Sequence, residues 1–596
     1  MPGGAEAVIH ATRRYVEDMP ADYVTVKLDF SNAFNSVRRD LILDTAAANT
    51  PEIYRFTYAK YSCEPKLIYG PHIIRSKEGS QQGDPLSSLE FCDAVDPTLK
   101  DLNSEMRPSF MDDVSLSGHI STVAADVETI IAAAGKTGLH LNRNKCEIIA
   151  NDFNIVSSFK VFDQFRRVKR EDLSLLGAPI LKGSAVDTAL RQKIKDLDKA
   201  IGRLTLLHSH DALTLLKNSM SMPKLLYTLR TSECSGNPLL EEFDKCLRDG
   251  LTRILNVDLS DDQWLQASLP VRNGGLGIRN ATKLAPSAFL ASAASTRSLQ
   301  DAILPQRFQA KEDISQTHSL AIWKSLSSAE VPAPALQHVQ KAWDGLIASK
   351  IQAEIWGRAS DVIDKARLLA AASPHSGDWL HAPPISSIGL RLDNEMIRVS
   401  VGLRLGAKIC EPHTCHCQKM VDPRGLHGLS CRRSAARQQR HAQINDIIHR
   451  AILRTQTPSS KEPVGLIRND GKRPDGATLI PWSRGKPLAW DVTVVDTFAD
   501  SHIHDTSSQA GEAANKAAAK KTSKYSNLTA THIFAPIAME TAGSLNNLAI
   551  ETIEEIGKRT SAITKEPLET TYLFQRISMA IQRGNAVSFS STFQID

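Results

Sequence analysis

No stretch of this chain holds the roughly 18 consecutive apolar residues that a membrane span needs. Met1 is followed by Pro2-Gly3-Gly4 rather than by a basic and then an apolar run, so a secretory leader is not expected either. Nine cysteines in 596 residues, without a leader, point to a reducing compartment, nuclear or cytoplasmic, where thiols are buried or hold metal. A large excess of one charge is also missing: 71 Lys+Arg stand against 66 Asp+Glu, a net +5. That balance does not establish a nucleic-acid partner, but it removes an objection to one. No internal repeat is evident. The Gly-rich loop from Leu269 to Ile278 matches no P-loop pattern and reads as a structural turn. What is present, 42% hydrophobic and 23% charged residues, suits a globular chain long enough for several domains.

The sequence Phe110-Met111-Asp112-Asp113 sits between an apolar stretch and the β-prone run Val114-Ser115-Leu116-Ser117-Gly118, and it reads as the tight turn of a hairpin. Adjacent carboxylates repel. A hard divalent ion neutralises such a pair, taking one or two carboxylates plus substrate phosphates. A solvated turn is the competing reading. Upstream, Val24 to Asp29 reads as a strand that ends in an acid and runs into a helix start at Ser31 to Val37, where Asp29 is alternatively a helix cap. Between the two acid sites, Gly79-Ser80-Gln81-Gln82-Gly83-Asp84-Pro85 is a punctuated turn that leads into a helix-like segment, Ser88 to Leu102.

This ordered set resembles motifs A, B and C of reverse transcriptases. The resemblance implies a palm in which Asp29, Asp112 and Asp113 hold two Mg²⁺ ions for nucleotidyl transfer to a primer 3′-hydroxyl. By the same resemblance Phe34 is the gate under the sugar that favours deoxynucleotides, although a plain core aromatic fits too. Gln82 and Gly83 would bind the incoming nucleotide. Lys145, in the segment after an Ala-rich helix (Val123 to Gly135), would protonate the departing pyrophosphate, or is an ordinary surface lysine. Leu173 to Ala178 resembles the primer-grip hairpin. The fingers that normally precede the Asp29 strand are missing, so the chain is expected to be truncated at its amino end. The alternative to an active polymerase is therefore an inactive relic that only binds nucleic acid.

Beyond residue 184, Ile194, Leu197, Ile201 and Leu204 recur at helical spacing with basic residues on the other face, as in a thumb that holds a duplex by its phosphates. A helical connector follows to about residue 404. Next, Cys410, His413, Cys415, His416 and Cys417 crowd together ahead of His427 and Cys431, a density that favours tetrahedral Zn²⁺. The expected ligands are Cys415, Cys417, His427 and Cys431, with Cys410, His413 and His441 left open. Arg432, Arg433, Arg437 and Arg440 come next and place positive charge beside this knuckle, able to meet phosphate.

Arg473-Pro474-Asp475 reads as a turn. Pro487 to Val495 reads as a buried strand with one acid, Asp491, and Lys516, Lys520, Lys521 and Lys524 follow on an Ala-rich helix. The pattern resembles PD-(D/E)XK restriction-like nucleases, in which two acids hold Mg²⁺ and a lysine stabilises charge on the phosphate. Thr493 stands where that lysine is usual, so Lys520, Lys521 or Lys524 would have to serve from the helix. Taken in order, these parts resemble the carboxyl-terminal portion of a non-long-terminal-repeat retrotransposon protein of the restriction-like-endonuclease class. That implies an α+β multidomain fold with RNA template, DNA primer or target, and deoxynucleoside triphosphates as partners. The expected division is a palm at 1–184, thumb at 185–260, connector at 261–404, zinc knuckle at 405–445 and α/β restriction-like nuclease core at 446–596. No role is evident for residues 531–596.

Overall fold

The computed structural model describes residues 3–434, 436–466 and 473–593. Its amino-terminal strands are β1 (Tyr23–Leu28), the hairpin β2 (Lys66–Tyr69) and β3 (His72–Arg75), β4 (Ser109–Phe110), β5 (Asp113–His119), β6 (Glu147–Ala150) and β7 (Arg166–Val168). Five of them form one sheet in the order β4-β5-β1-β6-β7, with β1 central and antiparallel to both β5 and β6.

The helices Ser87–Leu99 and Ile120–Thr137 cover one face, where Val24, Val26, Phe91, Leu116 and Val127 pack. The helix Gly4–Glu17 and the hairpin β8 (Ser174–Leu175) and β9 (Ala178–Pro179) cover the other, through Ile9, Tyr15, Ile149 and Leu175. β1 alternates accordingly: Val24, Val26 and Leu28 face the first of these layers, and Thr25, paired with Ile149, is buried on the other face. Each fully buried Val, Ile or Phe here contributes about 1.5–3 kcal/mol. The β8–β9 turn has Leu176 at φ +50° and Gly177 at φ +75°, the two left-handed residues of a type I′ hairpin.

Ser184–Leu204 and Leu239–Leu255 pair through Leu197, Ile201, Leu247 and Leu251 to begin a helical core. The connector builds a second core around Trp323 and Trp343, whose rings meet edge to face at 5.0 Å. The Gly4–Glu17 helix is locked to both helical regions. Arg13 pairs with Asp313 at 2.5 Å with both side chains buried, and Arg230 grips Glu6 with two hydrogen bonds.

The carboxyl-terminal half begins with a two-stranded ribbon, β10 (His413–Thr414) and β11 (Met420–Val421). A four-stranded sheet follows: β12 (Ser459–Lys461), β13 (Gly476–Thr478), β14 (Leu488–Val495) and β15 (Ile533–Glu540), in sequence order across the sheet. The first two pairings are antiparallel and β14–β15 is parallel. The helix Glu512–Lys524 supplies the crossover that a parallel pair requires. It packs on the sheet through Ala514, Ala518 and Ala538, small residues that let helix and strand approach closely. The helices Ala436–Arg454, Asn547–Thr564 and Glu569–Ser590 bury Ile448, Trp490, Ile537, Ile553 and Phe574 on the opposite face. The segment 531–593, without an assigned role from sequence, therefore supplies a full-length strand and two helices of this core. No helix among the described residues is long and apolar enough to cross a membrane.

Candidate functional site

The first acid site follows from strand register. Leu28 pairs with Val114, so the next step along the two strands sets Asp29 opposite Asp113. Asp112 lies in the two-residue turn closed by the Phe110–Asp113 pair, and Met111 takes φ +59° there, strained for a side chain with a Cβ. Asp29 is not a helix cap: the short helix after it is Ala33–Ser36, and Asn32 stands at its N-cap position. The Asp29 main chain is held by its own network. Its carbonyl accepts from Asn142 N at 2.8 Å, and its amide donates to Cys146 Sγ at 3.4 Å. Nearby, Gly138 lets its segment pass close to the Ala33–Ser36 helix, since a Cβ at its φ of +83° would fall 2.3 Å from the Ser36 carbonyl oxygen.

Partial burial and the charges of Asp112 and Asp29 push the Asp113 carboxyl above its ordinary range, with Lys27 pulling it back. Negative charge thus exceeds positive charge at the site, and the donors are hard oxygens, so the set fits Mg²⁺. Phe34 is half-buried and stacks on Phe91 at 4.3 Å, so it packs as a core aromatic while keeping an open edge. Gln82 and Gly83 are exposed in the turn before the Ser87–Leu99 helix, with Gly83 at φ +89°. Lys145 is exposed one residue before Cys146.

Residues 4–180 match the family model described as reverse transcriptase (RNA-dependent DNA polymerase). This part of the chain is a reverse-transcriptase domain. The match takes in the whole β4-β5-β1-β6-β7 sheet and ends just past the β8–β9 hairpin, so Asp29, Asp112 and Asp113 all lie inside the reverse-transcriptase domain. No curated protein matches the chain.

Cys415, Cys417, His427 and Cys431 bring one donor atom each to within 4.8 Å of one another, and among the described residues no other group of three or more such side chains is gathered this closely. Cys415 Sγ and Cys431 Sγ are 3.8 Å apart, and Cys417 Sγ lies 3.0 Å from His427 Nε2. Zn–S bonds of about 2.3 Å in a tetrahedron put sulfurs roughly 3.8 Å apart, so the set fits zinc. Burial lowers the His427 pKa and so favours the neutral, ligating ring. The residues left open by the sequence are engaged elsewhere. Cys410 Sγ contacts the Asp422 carbonyl, His413 stacks on Phe593, and His441 lies 34 residues before its partner Asp475.

The second acid site repeats the logic of the first. Gly476 pairs with Trp490, so the preceding step sets Asp475 opposite Asp491. Asp475 Oδ2 accepts from Val492 N at 2.6 Å and meets His441 Nε2 at 3.0 Å. Burial and the Asp475 charge push the Asp491 carboxyl up, while Lys521, 2.5 Å away, opposes them. Two facing carboxylates with one lysine again fit a divalent ion.

The lysine that reaches this site is Lys521. Of the three candidate lysines on the Glu512–Lys524 helix, Lys521 meets Asp491, whereas Lys520 is exposed to solvent and Lys524 lies against Tyr525. His441, considered from sequence only as a spare zinc ligand, belongs here because the Ala436–Arg454 helix lies across the sheet. Asn445, one turn later, bonds Trp490 Nε1 from the same helix face. The i, i+4 spacing of His441 and Asn445 is the one sequence signal that would have coupled them.

Proposed function

We propose that the chain is an RNA-directed DNA polymerase of a non-long-terminal-repeat retrotransposon, whose carboxyl-terminal domain nicks DNA to supply the primer. The observation that carries this reading is the repeated construction of two acid pairs, Asp29 with Asp113 and Asp475 with Asp491, each set opposite across adjacent antiparallel strands. Divalent cations held by these pairs would supply charge neutralisation and acidify the attacking hydroxyl or water.

In the reverse-transcriptase domain, Asp29, Asp112 and Asp113 would hold the ions. The Phe34 edge would lie under the sugar, Gln82 and Gly83 would meet the nucleotide, and Lys145 would give its proton to the leaving pyrophosphate. In the carboxyl-terminal domain, Asp475 and Asp491 would hold the ion, and Lys521 would stabilise charge gathering on the phosphate. One chain that carries both activities keeps the nicked 3′ end near the polymerase at high effective concentration.

The test is Mg²⁺-dependent primer extension on an annealed RNA template, followed by nicking of supercoiled DNA. Asp112→Asn is expected to abolish extension and leave nicking intact, and Asp491→Asn the reverse. Folded wild-type protein that neither extends nor nicks would instead leave a chain that only binds nucleic acid.

A further inference from the structure

Between the Cys₃His centre and the Asp475–Asp491 pair lies a cleft of about 630 Å³, lined by Arg432, Arg433, Arg437, Arg440, Thr493 and Lys521 among others. The first four come from the segment that leaves Cys431 and enters the Ala436–Arg454 helix. Arg433 is tied to the ribbon by a hydrogen bond from Nη1 to the His416 carbonyl at 2.9 Å. Arg432 and Arg437 are exposed and form no ion pair among the described residues. Lys521 is paired with Asp491, but the four arginines have no ion-pair partner among the described residues, so the concavity carries an excess of positive charge that suits an anion.

Two buried polar atoms on the wall point the same way. Arg440 is 2% exposed, its Nη1 donates to the neutral amide oxygen of Asn585 at 2.7 Å, and its Nε has no hydrogen-bond partner among the described residues. The Thr493 hydroxyl is also buried and unpartnered. Thr493 is two residues from Asp491 on β14, hence on the same face of the strand. A phosphate oxygen would satisfy such donors once the side chains that cover them shift, as unpaired buried polar groups otherwise cost free energy.

We propose that this cleft is the track for a DNA sugar–phosphate backbone leading to Asp475 and Asp491, with Arg432 and Arg437 gripping flanking phosphates and Arg440 and Thr493 contacting one beside the acids. This rests on the nuclease reading of the carboxyl-terminal domain and adds to it the path of the substrate strand. Phosphodiester chemistry is shared by DNA and RNA, so both are used as probes.

The experiment uses the full chain carrying Asp475→Asn and Asp491→Asn, so that binding is read without cleavage. Fluorescence anisotropy follows a labelled DNA duplex, and an RNA duplex of the same sequence, across a salt series. Adding Arg432→Ala and Arg437→Ala is expected to weaken DNA binding at least tenfold and to flatten the log–log salt slope by about 2, one counterion step per lost phosphate contact. In the otherwise native chain the same pair is expected to raise the KM for nicking and leave primer extension unchanged. Thr493→Ala is expected to weaken DNA binding without changing that slope, since it removes no charge. Unchanged DNA affinity and salt slope in the arginine variant would overturn the proposal, as would equal losses for nicking and extension. So would an arginine-dependent preference for the RNA duplex. If native protein fails to nick while the arginine variant still loses DNA affinity, the cleft stands and the nuclease reading falls.

Discussion

At the scale of single residues, chemistry is set by which side chain reaches an acid, and one helical step decides it. Lys520 and Lys521 are neighbours, yet successive helical residues point about 100° apart, and only Lys521 stands 2.5 Å from Asp491. Lys521→Ala is expected to lower the nicking rate at least 100-fold, with Lys520→Ala within twofold of native, measured on supercoiled plasmid under single-turnover conditions. Equal effects of the two changes would remove Lys521 from the centre. The same discrimination applies in the reverse-transcriptase domain. Asp113 feels both Asp112 and Asp29. Asp112→Asn should therefore relieve repulsion and raise the midpoint of thermal unfolding in Mg²⁺-free buffer, while it abolishes extension.

At the scale of elements, short segments are held by buried polar groups with defined protonation states. His210 is buried in the Ser209–Leu215 helix and accepts a hydrogen bond from Leu392 N at Nδ1, 3.1 Å away, which requires the neutral ring. Burial pushes its pKa down to about 4. The folded state then binds fewer protons than the unfolded state between pH 4 and 6.5. The stabilisation is complete above pH 6.5 and is lost as pH falls towards 4, by about 3 kcal/mol in all. Urea unfolding at pH 7 and pH 4.5 should show this loss, and His210→Asn, whose amide oxygen replaces Nδ1, should reduce it. The knuckle is a second such element. Its β10–β11 ribbon is too short to hold itself, and the chain end rests on it through His413 stacked on Phe593 and His416 bonded to the Phe593 carbonyl. Zinc chelation is expected to expose residues 410–434 and the end of the Glu569–Ser590 helix together in hydrogen exchange, with Zn²⁺ restoring both.

At the scale of the whole molecule, the Gly4–Glu17 helix joins the reverse-transcriptase domain to the helical regions that follow it. Arg13 is 0% exposed and pairs with Asp313, 300 residues away, which in turn caps the Ile314–Ser327 helix through Gln316 N. Arg13→Ala leaves a buried carboxylate without its cation, a loss of about 3–5 kcal/mol. Chemical denaturation should show that loss, and replacing both partners with apolar residues should recover much of it.

The legibility of this protein follows the range of the forces involved. Asp29, Asp112, Asp113 and Asp475 could be placed from the sequence as candidates because each sits at a strand end or turn, and Asp491 because it is the one acid in an apolar strand; such preferences act over a few residues. The Cys₃His set was visible for the same reason, since its four ligands span 17 positions that fold back through one ribbon. Other features depended on rotation and docking. That Lys521 rather than Lys520 or Lys524 meets Asp491 depends on how the Glu512–Lys524 helix seats its alanines on the sheet. That His441 serves Asp475 rather than zinc depends on where the Ala436–Arg454 helix crosses β13 and β14. The role of residues 531–593 emerged only when β15 was found beside β14. Sequence determined which acids and thiols are grouped as candidate sites, because local pattern places them. Tertiary structure decided which lysine and which imidazole meet those acids, because their neighbours come from elements far away in the chain and are chosen by packing.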